Sequence, residues 1–106
     1  MTEVNFYTGS RGELLGFHVS GHSGYAEEGE DIVCAAISSA VLMTMNTVTD
    51  ILGVKAEVSA ADGDAVMKIL SKDAEACKSV LRGLKLHLLD LEKQYSDFLK
   101  VKFTEV

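Results

Sequence analysis

The sequence lacks proline and tryptophan altogether, and its 106 residues include only two cysteines. Without proline, no residue of fixed φ marks a linker, and no repeat or low-complexity segment divides the chain. Two cysteines without metal-ligand spacing exclude a disulfide-rich secreted scaffold or a zinc module, and they favour a reducing compartment. We therefore predict one cytoplasmic domain over residues 1–106, with no metal or other cofactor.

Basic residues are also scarce, since ten Lys and Arg stand against sixteen Asp and Glu and the formal net charge is −6. Binding to a phosphate backbone depends on Lys and Arg, so this balance disfavours nucleic-acid binding as the main activity. We find no charged leader followed by an apolar segment and no apolar run approaching about 18 residues. We expect protein partners, no direct contact with nucleic acid and no membrane segment.

Apolar residues are abundant, at 47% of the chain, and a domain of this size can bury about 60–70% of its unfolded surface. Alternating apolar positions predict strands, and apolar positions at helical spacing predict two helices. The predicted strands span 2–8, 14–20, 54–58, 65–70 and 99–103, and the helices span 32–52 and 73–95. This ββαββαβ order predicts an α+β two-layer sandwich, with a mostly antiparallel sheet of about five strands and two helices.

The most informative segment is residues 21–38, GHSGYAEEGEDIVCAAIS, in which His22 precedes Cys34 by twelve residues. Asp31 has the residue type of a helix N-cap, which places Cys34 in the first turn of the following apolar helix. A thiol attacks as its thiolate, and a helix N-terminus and a nearby imidazole both favour that anion. At about 100° per residue, Cys34 and Ser38 lie at the edge of the apolar stripe, where a substrate can reach them.

Each of these residues alone has an ordinary structural explanation. A single cysteine in an apolar helix usually packs as a small hydrophobe, and a histidine at a strand end is usually a satisfied polar residue. It is the combination of histidine, glycine-rich loop and helix-borne cysteine that favours nucleophilic catalysis.

The same segment resembles the motif of the ribosomal-processing cysteine protease family, Prp. The family pattern is G-H-x-G-[YF]-A, a short acidic loop containing glycine, and then G-x-D-I-[VL]-C-A-A-[VI]-S. The matching residues are Gly21, His22, Gly24, Tyr25, Ala26, Gly29, Asp31, Ile32, Val33, Cys34, Ala35, Ala36, Ile37 and Ser38. The resemblance implies a cytoplasmic bacterial endopeptidase that removes a short N-terminal extension from one large-subunit ribosomal protein. It also implies that His22 and Cys34 are the catalytic pair and that the protein is a homodimer.

Around this pair the sequence leaves several roles open. Asp31 either caps the helix or orients the His22 ring, and we favour the cap because a carboxylate near Cys34 opposes thiolate formation. Backbone N–H groups at the helix start or the Ser38 hydroxyl could stabilise an oxyanion.

The loop between the pair is the predicted substrate loop, a flap that contains Gly21, Gly24, Tyr25 and Gly29. Its acidic residues either keep a solvated loop open or attract a basic substrate. The acidic residues are Glu27, Glu28, Glu30 and Asp31.

The other cysteine and histidines are predicted to be structural. Cys77 lies in the middle of the second helix's apolar stripe, and His18 and His87 have no partner at a telling spacing. Two other functions stay open: a non-enzymatic dimeric interaction module associated with ribosome assembly, and a thiol-dependent acyl or redox enzyme acting on a small substrate. The redox alternative is disfavoured because no second cysteine lies near Cys34 in the sequence to resolve a disulfide.

Overall fold

The structure, a computed structural model, describes residues 1–21, 29–61 and 63–106, with only the backbone of residues 29–31. The strands are β1 (Thr2–Thr8), β2 (Leu14–Ser20), β3 (Glu57–Ala61), β4 (Asp64–Lys68) and β5 (Leu99–Glu105). The helices are α1 (Gly29–Asn46) and α2 (Ala74–Gln94). A π-helical turn, Thr47–Ile51, continues α1, and a 3-10 turn, Ser71–Asp73, leads into α2.

The five strands form one mixed sheet in the order β3-β4-β2-β1-β5. Every neighbouring pair is antiparallel except β1 and β5, which run parallel. This confirms the predicted α+β fold, its element order and its mostly antiparallel sheet.

The core lies between the sheet and the two helices, and a row of large side chains crosses its centre. Phe6 on β1 is in register with Phe17 on β2, which is in register with Met67 on β4, and all three are fully buried. The Phe6 and Phe17 rings meet edge to face with centroids 6.2 Å apart, and Phe103 on β5 stacks on Phe6 at 5.6 Å. Edge-to-face and offset-stacked rings add favourable electrostatics to the buried apolar area. The row therefore ties four of the five strands together.

The alternation predicted for β2 holds only in part, because the β1–β2 ladder shifts register between Tyr7 and Thr8. Alternation would bury both Leu15 and Phe17; Phe17 is buried, but beyond the shift Leu14 takes the buried position and Leu15 is only partly buried. Gly16, between Leu15 and Phe17, has φ +145°, and a Cβ at this position would overlap the Met67 carbonyl oxygen. Only glycine lets β2 and β4 approach this closely.

The largest departures from the predicted boundaries are three residues, at the third strand and at the start of the first helix. The third strand spans residues 57–61 rather than 54–58, and α1 begins at Gly29 rather than near residue 32. The predicted end of the first helix is confirmed, since Gly53 follows the π-helical turn with φ +67°, a conformation that glycine adopts at a helix C-terminus.

By length and composition alone, Ile32–Ile51 could cross a membrane, but the core helix of a soluble protein passes the same test. Val33, Ile37 and Val41 lie on one side of α1 and are almost fully buried in the domain core. The length and apolar character of this segment are thus those of a helix packed against a sheet.

Candidate active site

Cys34 lies at the edge of the buried side of α1, as the helical spacing predicted. Its neighbours Val33 and Ile37 are 1% and 2% exposed, whereas Cys34 is half-buried and Ser38 is exposed. Residues four apart lie one above the other on a helix, so the thiol and the Ser38 hydroxyl share one face. Cys34 thus takes part in packing on one side and remains reachable on the other.

The predicted N-cap role of Asp31 is wrong, because α1 begins at Gly29 and Asp31 is the third residue of the helix. Cys34 is then the sixth helical residue and lies in the second turn. The partial charge of a helix N-terminus acts mainly within the first turn. The helix dipole therefore contributes less to thiolate stabilisation than the sequence suggested.

Cys34 and Ser38 both line a cavity of about 270 Å³ between α1 and the end of the sheet. The walls are mostly small or apolar residues, so the cavity is suited to small or apolar groups of a ligand. The other lining residues are Thr2, Val19, Gly21, Ile37, Val41, Leu42, Ala60, Ala61, Gly63, Asp64 and Ala65.

Gly21 fixes the rim of this cavity at the end of β2. Its N–H donates a hydrogen bond of 2.9 Å to the Gly63 carbonyl, which joins the rim to the β3–β4 turn. Gly21 has φ +85°, and a Cβ would lie 2.6 Å from the Met1 carbonyl oxygen. The glycine is required here for both its conformation and its close contact. His22 follows it directly in the sequence.

Two of the three histidines, His18 and His87, do not line the Cys34 cavity. Phe17 faces the helices, so its neighbour His18 faces the opposite side of the sheet, where its Nε2 lies 2.6 Å from Asp64 Oδ1. His87 is on α2 and lines a different cavity, between the helices. The His18–Asp64 pair was missed in the sequence, because the two residues are 46 positions apart and meet only through the β2–β4 pairing.

The predicted core position of Cys77 is confirmed, since its side chain is fully buried. Burial, with a smaller contribution from the negative charge of Asp73, raises the pKa of the Cys77 thiol. Both cysteines lie in the described part of the chain, and no disulfide joins them. In the described residues, no group of three His, Cys, Asp or Glu side chains is placed to hold a metal ion.

Several of the predicted site residues lie outside the described residues, namely His22, Gly24 and Tyr25. Gly29 was assigned to the substrate loop, but it is the first residue of α1. The sequence also gave no indication of Thr2 or of the β3–β4 segment as cavity walls. The Asp62-Gly63 pair is a strong two-residue hairpin signal. Had the third strand been predicted to end at Ala61 instead of residue 58, this hairpin would have been expected beside the end of β2.

The sequence profile of the family described as cysteine protease Prp matches residues 1–100. The chain belongs to the cysteine protease Prp family. Membership establishes it as a cysteine protease and confirms the family resemblance seen in the sequence.

Individual Prp proteins show the extent of the similarity. The ribosomal processing cysteine protease Prp of Bacillus subtilis is 28% identical over 94 residues, covering 83% of this chain and 84% of that protein. The Prp protein of Staphylococcus aureus is 21% identical over 105 residues, covering 97% and 99% of the two chains.

The fold is shared with a solved Prp structure as well. The crystal structure of S. aureus Prp in complex with a covalently linked product peptide superposes with a TM-score of 0.89. The identity is 19%, and the match covers 98% of this chain and all of that one.

Proposed function

We propose that this cysteine protease uses Cys34 as nucleophile and His22 as its acid–base partner, and that it removes the short N-terminal extension of a large-subunit ribosomal protein. The observation that carries the choice of residues is the cavity that contains Cys34. Cys34 is half-buried on its wall, while the other cysteine is fully buried in the core.

The choice of His22 follows from the positions of the other two histidines. The chain contains three histidines, and neither His18 nor His87 lines the Cys34 cavity. The His18 ring is hydrogen-bonded to Asp64, and His87 lines the groove between the helices. His22 is joined by a peptide bond to Gly21, which lines that cavity. Of the three imidazoles, His22 is therefore the one the chain attaches directly to the rim of the site.

Peptide hydrolysis by this pair proceeds in two half-reactions. The Cys34 thiolate attacks the carbonyl carbon of the scissile bond, and the imidazolium of His22 gives its proton to the leaving amine as the C–N bond breaks. Water, deprotonated by the imidazole, then attacks the thioester and releases the new carboxylate with regeneration of the thiol. Ser38, one turn from Cys34, is our candidate donor to the oxyanion formed in both steps.

The proposed substrate agrees with the shape and composition of the site. Small residues such as Ala60, Ala61 and Ala65 line the cavity and leave room for an extended chain. Glu27 and Glu28 precede α1 and Glu30 lies at its start, where the three carboxylates would attract a basic segment. The family relatives are named ribosomal processing proteases, and a basic, extended N-terminal segment suits both features.

We also propose that the enzyme is a cytoplasmic homodimer. A groove of about 610 Å³ runs between α1 and α2 and is lined mainly by small and apolar residues, with Met43 at its edge. Met43 is 65% exposed, and exposed apolar surface of this kind often marks an interface between chains. Met43→Glu should shift light scattering from dimer to monomer, whereas the matched change Leu86→Glu, outside the groove, should not.

The test of catalysis is cleavage of a synthetic peptide that spans the N-terminal extension and the first mature residues. Cys34→Ser and Cys34→Ala should both abolish cleavage, because a hydroxyl is not ionised by this pair. His22→Ala should lower kcat far more than it changes KM, since the imidazole acts in the transition state. His87→Ala is the matched histidine control and should cleave normally.

Two results would contradict this assignment. Substantial turnover by Cys34→Ser would exclude a thiolate mechanism. Loss of activity in His87→Ala that matched the loss in His22→Ala would exclude the choice of histidine.

A further inference from the structure

A second cavity, at the other end of the sheet, is lined largely by basic side chains. It has a volume of about 390 Å³ and lies between the β1–β2 turn and α2. We refer to it as the basic cleft. The charged residues that line it are Arg11, Glu13, Glu75, Lys78, Arg82 and Lys85.

The concentration of positive charge in the basic cleft contrasts with the acidic character of the whole chain. Four of the ten basic residues line it, in a protein of net charge −6. Lys78, Arg82 and Lys85 are spaced at i, i+4 and i+7, which places them along one face of α2. At 1.5 Å per residue, this row is about 10 Å long.

The cations on α2 form no close ion pair with a described carboxylate. In the described part of the chain, no ion pair within 4.0 Å joins Lys78, Arg82 or Lys85 to an acidic side chain. Lys85 is instead placed over the Phe103 ring, with its Nζ 5.8 Å from the centroid. Glu13 and Glu75 also line the basic cleft, so its four cations outnumber its carboxylates by two.

The acidic residue on the opposite wall is held by the β1–β2 turn. Glu13 Oε1 accepts a hydrogen bond of 2.9 Å from the Arg11 N–H, and Arg11 Nε lies 3.6 Å from Glu13 Oε2. Hydrogen bonds from the backbone N–H groups of Glu13 itself and of Arg11 hold the pKa of the Glu13 carboxyl below its ordinary value. The Glu13 carboxylate thus stabilises the β1–β2 turn and neutralises the Arg11 charge only in part.

From this arrangement we propose that the basic cleft binds the phosphate backbone of RNA. A guanidinium group matches two phosphate oxygens at once, and the cleft offers two of them. Every nucleotide of an RNA strand carries a phosphate, so the charge along the strand is continuous whatever its sequence. An extended peptide presents carboxylates continuously to one surface only where Asp or Glu occupies every second position. A row of three cations therefore favours nucleic acid over an acidic protein.

The choice of RNA rests on the proposed function, because an enzyme that processes a ribosomal protein meets ribosomal RNA beside its substrate. The basic cleft would then hold the enzyme against ribosomal RNA near the substrate protein. The β1–β2 turn and Gly21 flank opposite ends of β2, about 20 Å apart at 3.4 Å per residue, and the basic cleft shares no lining residue with the Cys34 cavity. RNA binding and peptide cleavage should therefore be separable by mutation.

The test is binding of fluorescein-labelled single-stranded RNA of about 12 nucleotides, followed by anisotropy as KCl rises from about 0.05 to 0.2 M. Four contacts predict a slope of log K against log[salt] of about −2.8 for the wild type. Lys78→Gln/Arg82→Gln removes two contacts and should bring the slope to about −1.4. Lys55→Gln/Lys100→Gln removes the same charge from exposed positions outside the basic cleft and should keep the wild-type slope.

Peptide cleavage without RNA is measured on all three proteins, with circular dichroism to confirm folding, and should be unchanged. Three results would overturn RNA binding at the basic cleft. These are no detectable RNA binding by the wild type, equal loss of binding in the Lys55→Gln/Lys100→Gln control, and binding of polyglutamate as tight as that of RNA. Failure of peptide cleavage by the wild type would instead count against the proposed protease substrate, and the two failures are distinguishable.

Discussion

Labelling with iodoacetamide should separate the two cysteines of the native protein by a large factor. Cys34 is half-buried on a cavity wall and can react without unfolding. Cys77 is fully buried in the core, with 0% of its surface exposed to solvent. Labelling of Cys77 requires α2 to open. If that opening costs about 5 kcal/mol, the low end of domain stability, Cys77 is slowed by roughly 10³–10⁴-fold. Its raised pKa slows it further, since the thiolate is the reacting form.

The assay is mass spectrometry of quenched samples, with both cysteine peptides quantified at each time. Cys34→Ser should leave only the slow reaction, which identifies it with Cys77. In denaturant the two rates should converge, because burial no longer distinguishes the thiols. Labelling of Cys77 in native protein within about tenfold of Cys34 would refute the inference that α2 packs as a stable part of the core.

Three further predictions concern stability, measured by urea unfolding. The raised pKa of Cys77 means that, as pH rises above the ordinary thiol value of about 8.5, the unfolded chain loses its proton first. The free energy of unfolding should therefore fall toward the folded pKa, and Cys77→Ala should lessen the fall. Gly16→Ala should lower the free energy of unfolding by at least about 3 kcal/mol, because the new Cβ would overlap the Met67 carbonyl oxygen. The matched Gly83→Ala, which has open space around its Cβ, should raise that free energy by about 0.5–1 kcal/mol. Equal effects of the two substitutions would contradict the geometry. The Thr2 hydroxyl is buried without a hydrogen-bond partner among the described residues, so Thr2→Val should stabilise by about 1 kcal/mol, and a loss of stability would reveal an unrecognised bond.

Most of the fold could be predicted because its elements carry clear hydrophobic periodicity. The helix around Leu81, Leu84 and Leu88 shows apolar positions at helical spacing, and all three are buried. The third strand was misplaced because Val54 and Val58 have high strand propensity, whereas Ala60 and Ala61 do not. Their place in β3 is decided by pairing with β4, a tertiary effect that outweighs local preference.

The candidate site was predictable only where one short segment carries it. Cys34 and Ser38 are four residues apart on one helix, so their common face follows from helical geometry. Thr2, Val19 and Gly63 meet beside them only because β1, β2 and the β3–β4 turn end at the same edge of the sheet. No local pattern encodes that convergence. The helix start was also misjudged, since Asp31 suits an N-cap by residue type but lies inside α1.

The parallel pairing of β1 with β5 has a consequence for folding. Thr2 pairs with Leu99 and Thr8 with Glu105, so the partners are 97 residues apart in the sequence, and this ladder must close the longest loop in the domain. Loop closure of that length is slow, and β1 therefore presents an open strand edge while the rest of the sheet assembles. Changes that weaken β5, far from the proposed protease site, should show themselves first as aggregation during expression rather than as loss of activity per folded molecule.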